Sequence, residues 1–252
     1  MKFPFGATRS KGILELIHSD VFGLMFGLVH GPSLGEYLYY VSFIDDFSRN
    51  MWLYFLKKKF EVFSKFKEFK ALVENQIGNK IKVLRTDNRG ELCGKELEQY
   101  GIAWKNTTVY TPQNMVAERT NMSLMEKART VLNGAGLTRE LWALVIDTAC
   151  YLKNGLPTST LVDKTPHGVW YGKKPFVAHL KVLGCDVFVH VPKEKRSKLD
   201  NKAKKCIFIG YKDGLKGYKL LNHVNRKTMY SQDVIFIEVE KTFRNQDESK
   251  EK

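Results

Sequence analysis

The sequence predicts an α/β domain, a mixed sheet flanked by helices, followed by a small β-barrel domain. Three observations predict it. Three strand-like segments open the chain, and strands and helices then alternate. Beyond Val182 the helical periodicity stops, and short apolar runs alternate with Gly, Asn and Lys turns.

Taken in order, Leu14 to Val21 mixes apolar and polar residues, Tyr37 to Phe43 is aromatic and β-branched, and Met51 to Leu56 is apolar and aromatic. Each has the length and composition of a strand. The Gly- and Pro-containing stretch 27–35 and the polar run Asp45 to Asn50 separate them. Lys57 to Gln76 is helical, with Phe60, Phe63, Phe66, Phe69 and Val73 at the spacing of one core-facing stripe. Gly78 stops this helix.

Ile81 to Leu84 is a short strand running into Arg85-Thr86-Asp87; a short helix, Glu96 to Tyr100, and a strand around Ile102 to Trp104 follow. Two helices, Val116 to Leu132 and Arg139 to Asn154, complete the first domain, with Gly134 and Gly136 breaking the chain between them. A Pro-containing connector, Thr165 to Pro175, leads to four strands: Val182 to Val191, Lys205 to Tyr211, Gly217 to Leu221 and Thr228 to Ile237. The expected division is a linker at 1–12, a core at 13–160, a connector at 161–180, a β-domain at 181–240 and a charged, disordered tail at 241–252.

Composition narrows the function classes. At 252 residues, with 43% hydrophobic and 12% aromatic residues, the chain has material for one large or two smaller cores. No apolar run approaches the ~20 residues of a membrane helix, and the N-terminal segment lacks the apolar stretch of a signal peptide. The four cysteines, Cys93, Cys150, Cys185 and Cys206, form no CxxC pair, which argues for reduced thiols and against a zinc site. Cys150 and Cys206 lie in apolar runs and are expected in the core.

Net charge is +14, and the stretch from Lys173 to Tyr230 holds 15 basic residues against 4 acidic ones. Such a surplus fits a polyanion, because Lys and Arg contacts to phosphates release condensed counterions. A merely soluble basic surface is the plainer alternative.

Candidate chemistry rests on three carboxylates. Asp20 lies within the first strand, Asp87 ends the fourth, and Glu118 opens a helix. Strand centres and a helix start hold side chains more rigidly than loops do. Three carboxylates suit Mg²⁺, and a pair of such ions ~4 Å apart serves in-line phosphoryl displacement. Asp45 and Asp46 are rival ligands, but their place before Ser48 favours a turn with an Asx-type backbone bond. His18, two residues before Asp20, is expected as a core or hydrogen-bonding residue as much as a site residue.

Local context then carries a resemblance. Leu14-Glu15-Leu16-Ile17-His18-Ser19-Asp20, Tyr40-Val41-Ser42-Phe43-Ile44-Asp45-Asp46-Phe47-Ser48-Arg49, Leu84-Arg85-Thr86-Asp87-Asn88, and Tyr110-Thr111-Pro112-Gln113 with Val116-Ala117-Glu118-Arg119 resemble successive motifs of copia-type retrotransposon integrases. Lys164-Thr165-Pro166-His167 and Gly172-Lys173-Lys174-Pro175 are similar to the family's connecting region. Lys204 to Tyr211 with Lys216-Gly217-Tyr218 are similar to its SH3-like β-domain. The motifs stand in the family's order from about Phe3 to Val239.

The resemblance implies an RNase H-like core and an SH3-like barrel, DNA as partner, and Mg²⁺ or Mn²⁺ as cofactor. It implies 3′-end processing and strand transfer, with Asp20, Asp87 and Glu118 as metal ligands. Tyr110, Gln113 and Asn114 would lie in the loop near the DNA end. Arg119, and in the second domain Lys195, Arg196 and Lys198, are candidate DNA contacts, although a solvated helix face or a subunit contact would use the same residues. The resemblance further implies a homo-oligomer, nuclear action, and a piece of a longer polyprotein from which a zinc module and a reverse transcriptase are missing.

Departures from the family pattern bear on activity. Only 30 residues separate Asp87 from Glu118, fewer than in the family, and the segment Gln113-Asn114-Met115 is shorter and lacks the family's Gly. Arg89 stands where the family has Gly, a replacement that strains a positive-φ turn. The alternative function is therefore a catalytically inactive nucleic-acid-binding relic. A ribonuclease H acting on hybrids is a third reading, disfavoured by the Tyr110-Thr111-Pro112-Gln113 segment and the β-domain.

Overall fold

The computed structural model describes residues 9–23, 31–87, 97–107, 115–211, 216–222 and 224–238. The chain divides into two compact units, one drawing on 1–128 and 139–179 and the other on 129–138 and 180–252.

The first unit is built on a five-stranded mixed sheet of order β3-β2-β1-β4-β5, comprising β1 Ile17–Gly23, β2 Tyr39–Asp45, β3 Met51–Leu56, β4 Val83–Asp87 and β5 Ala103–Thr107. The first three strands form an antiparallel meander, whereas β4 joins β1 in parallel and β5 joins β4 in parallel. This is the mixed, helix-flanked sheet expected of an RNase H-like core. The first strand starts three residues later than the sequence suggests, because Leu14 sits at φ 66 in the turn that precedes it.

Helix α1, Val62–Ile77, covers one face of the sheet. Its buried stripe is Val62, Phe66, Phe69 and Val73, and the Phe69 ring stacks on Phe43 of β2 at 4.4 Å. Phe63 is only partly buried, and Phe60, expected on the same stripe, is 77% exposed. The cause is local: Lys59–Glu61 forms a 3₁₀ turn, whose tighter winding puts Phe60 out of phase with the α-helix behind it. The left-handed Gly78, φ 76, ends α1 as expected.

Helices α2, Met115–Gly134, and α3, Trp142–Gly155, follow the strands. Trp142 of α3 packs edge-on against Phe55 at 5.8 Å, and the Asn154 side chain bonds both the amide and the carbonyl of Met51, at 3.0 and 2.8 Å. The expected connector contains a short helix, α4 Pro166–Tyr171. The Thr165 hydroxyl caps it by accepting from the Gly168 amide at 2.9 Å, and Pro166 opens it where a missing N–H costs nothing.

The second unit carries an antiparallel sheet of order β10-β6-β7-β8-β9: β6 Asp186–His190, β7 Ala203–Tyr211, β8 Tyr218–Asn222, β9 Thr228–Ser231 and β10 Val234–Ile237. The single strand expected over Thr228 to Ile237 is two strands, divided at Gln232-Asp233. These two are consecutive in the chain yet occupy opposite edges of the sheet. Two intervening residues span at most ~10 Å, so the sheet must curl until its edges meet. Phe208 sits at its centre, ringed by Tyr211, Tyr218 and Phe236. Cys150, Cys185 and Cys206 are buried thiols that form no disulfide among the described residues.

Candidate active site

Asp20 occupies the middle of β1, where β1 has a neighbour on each side. Strand alternation sends Ile17 into the core under α1 and puts His18 and Asp20 on the opposite face. Asp20 is only 8% exposed. Across the antiparallel pair it faces Ser42, whose hydroxyl donates to the Asp20 carbonyl at 3.3 Å.

Asp87 is the last residue of β4, the strand parallel to β1. Ile17 pairs with Leu84 and His18 with Arg85 across the parallel β1–β4 ladder. Both pairs are offset by 67 positions; the pairing ends at His18 and Arg85, and the same offset continued along the two strands would take Asp20 to Asp87. The side chain of Asp87 lies outside the described residues.

Glu118 lies in the first turn of α2 and is exposed. Its helix is fastened to β1 by Asn121, three residues later and therefore on the same face. The Asn121 amide nitrogen donates to Asp20 Oδ2 at 2.9 Å. A carboxylate only accepts, so this bond fixes which way the amide points. It leaves Asn121 Oδ1 buried and without a hydrogen-bond partner among the described residues. Sequence reasoning missed Asn121; the signal was a polar residue at helical spacing from Glu118 on a face otherwise filled by Ala117 and Leu124.

Tyr40 contributes a second buried polar group nearby. Burial first, and the negative charge of Asp20 second, push its hydroxyl well above the ordinary phenol range.

His18 and the Asp45-Asp46 pair have structural partners. Asp45 is fully buried; its Oδ1 accepts from the Leu14 amide at 2.9 Å, and its Oδ2 accepts from the Ser48 amide and hydroxyl, each at 2.7 Å. That is the Asx-type turn the sequence suggests. Asp46 accepts from His18 Nε2 at 3.0 Å and from the Ser10 amide at 2.7 Å, and it pairs with Arg49 at 3.2 Å. Burial by itself would raise the Asp46 carboxyl, but His18, the Ser10 amide and Arg49 together hold it far below the usual carboxylate range.

Among the described residues, no group of three or more His, Cys, Asp or Glu side chains is arranged to hold a metal ion. The donor chemistry nevertheless fits a hard cation. Asp20 supplies a carboxylate, Asp87 ends the neighbouring parallel strand, Glu118 rides on the helix tied to Asp20, and the amide oxygen of Asn121 at that tie has no hydrogen-bond partner among the described residues.

Of the other expected contacts, Arg119 is exposed beside Glu118. Arg196 and Lys198 lie in the β6–β7 connection of the second unit, Lys198 exposed and Arg196 half-buried. Tyr110, Gln113, Asn114, Arg89, the Lys195 side chain and the tail beyond residue 238 lie outside the described residues.

Residues 185–251 match the retroviral polymerase SH3-like domain. The chain is 45% identical, over 95% of its length, to the retrovirus-related Pol polyprotein from transposon TNT 1-94 of Nicotiana tabacum, of which it spans 18%. It is 35% identical over 94% of its length to the corresponding polyprotein from transposon RE2 of Arabidopsis thaliana, of which it spans 16%. Among solved structures it is similar to a chain of a simian T-cell lymphotropic virus intasome, with 12% identity, a TM-score of 0.48, and coverage of 91% of this chain and 84% of that one. It is also similar to the HTLV-2 integrase catalytic core domain in complex with magnesium, with 19% identity, a TM-score of 0.45, and coverage of 62% and 95%.

Proposed function

We propose that this chain, a relative along nearly its whole length of the retrovirus-related Pol polyproteins of plant transposons, is an integrase catalytic region that processes DNA 3′ ends and joins them to target DNA. The observation that carries the reading is the Asn121–Asp20 bond, which ties the Glu118 helix to β1, together with the parallel pairing of β1 with β4, the strand that Asp87 ends.

Asp20, Asp87 and Glu118 would hold Mg²⁺ or Mn²⁺, which when bound lowers the pKa of an attacking hydroxyl and neutralises charge on the phosphate. The work of the chain itself is positional. Asn121 keeps Asp20 Oδ2 turned toward α2, and the sheet holds the two aspartates on neighbouring strands. Arg119 is the nearest candidate to meet a DNA phosphate, one residue from Glu118. The SH3-like unit, with Arg196, Lys198 and Lys195 in its β6–β7 connection, would hold flanking DNA. Nuclear action and assembly into oligomers on DNA belong to the same proposal.

The test is joining of an oligonucleotide bearing the element's own terminus into plasmid, with Mg²⁺ or Mn²⁺, comparing the chain with Asp87→Asn. The expected result is joined product that disappears in Asp87→Asn while duplex binding persists. Folded protein that binds DNA but joins nothing would instead support the inactive nucleic-acid-binding relic, the reading favoured by the short interval between Asp87 and Glu118.

A further inference from the structure

The connection between β6 and β7 carries a feature that general DNA affinity does not explain. Leu199 is 97% exposed in the middle of a strongly basic segment. A loose loop would make this unremarkable, since single exposed apolar residues are common. This segment is braced. Its base is closed by the Val191 amide donating to the Lys202 carbonyl at 2.9 Å. The Arg196 guanidinium donates back to the Val191 carbonyl at 3.3 Å.

Its tip is a four-residue turn, Ser197-Lys198-Leu199-Asp200, closed from both ends. The Asp200 amide donates to the Ser197 carbonyl at 3.3 Å, and the Ser197 amide donates to Asp200 Oδ2 at 2.8 Å. The turn leaves Lys198 and Leu199 as its two central, outward residues, both exposed. The one carboxylate at the tip is engaged by Ser197 and lies within electrostatic reach of Lys204 and Arg196, which limits its repulsion of a polyanion.

We infer that this turn is a DNA-deforming element, with Leu199 inserting as an apolar wedge between base steps while Arg196, Lys198 and Lys202 grip the flanking phosphates. A pre-formed hairpin tip with one aliphatic side chain among cations is the arrangement by which minor-groove proteins unstack a step and kink the duplex. A protein partner fits less well. One leucine surrounded by lysines gives too little apolar area for an interface core, where lysine is depleted. The inference rests on DNA being the partner, and needs no catalysis.

The experiment uses the whole chain with duplexes carrying 2-aminopurine at successive steps and a donor–acceptor dye pair at the ends, read together with affinity over a salt series. The expected result is a rise in 2-aminopurine fluorescence and a shortened end-to-end distance on binding. Leu199→Ala should lose both while Kd changes by less than about tenfold, because phosphate contacts supply most of the affinity. Arg196→Ala with Lys198→Ala should instead lower the slope of log K against log salt by about 2. Leu199 and Lys198 are exposed, whereas Arg196 is half-buried and bonds the Val191 carbonyl, so unchanged thermal melting of each variant, and unstacking retained by Lys198→Ala alone, would verify that the barrel and its turn stand.

Binding without unstacking or bending, or a Leu199→Ala chain that still does both, overturns the wedge and leaves the integrase reading untouched. Unstacking by a chain that joins no DNA supports the wedge and counts against catalysis. No duplex binding at all overturns both. Loss of self-association in Leu199→Ala, with unstacking unchanged, would assign Leu199 to a protein contact and overturn the inference.

Discussion

The amide nitrogen of Asn121 sits 2.9 Å from Oδ2 of Asp20, joining the helix that carries Glu118 to the strand that carries Asp20 by one buried hydrogen bond. Removing the amide leaves a buried carboxylate oxygen without its donor, which costs about 1–3 kcal/mol. Partners that orient metal-binding groups typically matter by about 10–100-fold in metal affinity or activity. Asn121→Ala is therefore expected to lower Mg²⁺-dependent strand transfer by about that factor, with DNA affinity nearly unchanged. Asn121→Asp should be worse, since it sets a second carboxylate against Asp20. Strand-transfer rates over a Mg²⁺ titration check this; equal rates for Asn121→Ala and the parent chain would remove Asn121 from the site.

Asp46 predicts a pH dependence of stability. Its folded-state carboxyl is held below the ordinary range, despite its burial, by His18, the Ser10 amide and Arg49. A depressed carboxylate contributes stability that is fully present above its unfolded value, about 3.9, and is lost as pH falls through the folded value. Asp46→Asn should destabilise the first unit by about 3–5 kcal/mol at neutral pH. The gap between the two proteins should narrow below about pH 4. Urea melts at pH 3, 4, 5 and 7 decide it, and a gap that widens toward acid would contradict the ion-paired reading.

Gly184 predicts a packing limit in the second unit. It sits at φ +84, and a Cβ built there would lie 2.3 Å from the Ala135 Cβ. Gly184→Ala thus meets both backbone strain and a steric clash, each costing roughly 1–3 kcal/mol. The expected outcome is a lowered melting temperature, partly restored by Ala135→Gly, which removes the opposing methyl. Scanning calorimetry of the single and double variants measures the coupling.

Phe60 and Phe66 should behave oppositely although both lie in the apolar repeat. Phe66 is fully buried and Phe60 is 77% exposed. Phe66→Ala should cost about 3–5 kcal/mol. Phe60→Ser should stay within about 0.5 kcal/mol. Chemical denaturation of each variant suffices.

The legible parts of this molecule are those written in local pattern. Met51 to Leu56 is a strand over the span its composition suggests, and Gly78 ends α1 as a left-handed glycine should. Asp20, Asp87 and Glu118 stand out through the order of the motifs around them. What fixes their neighbourhood is long-range: the β1–β4 register joins residues 67 positions apart, and no local signal encodes it. Asn121 escapes notice because a polar helix residue is exposed by default, and only the packed face shows that this one is buried. Phe60 misleads because a 3₁₀ turn shifts the phase while leaving the spacing of phenylalanines intact. The division at Gln232-Asp233 and the helix at Pro166 carried usable signals, a polar pair within an apolar run and a Thr-Pro start closed by Gly172.

The placement of β9 and β10 at opposite edges bears on how the second unit is made during synthesis. Strand β6 has β7 on one side soon after it emerges, but its other side waits for β10: Val189 for Val234 and Asp186 for Ile237. Until the ribosome has released that last strand, β6 presents a row of unmet backbone donors and acceptors, a template for pairing with a neighbouring nascent chain. A transcript terminated between Ser231 and Val234 would make that exposure permanent. Its product should accumulate as aggregate, whereas a stop codon placed beyond Glu238 should leave the barrel able to close.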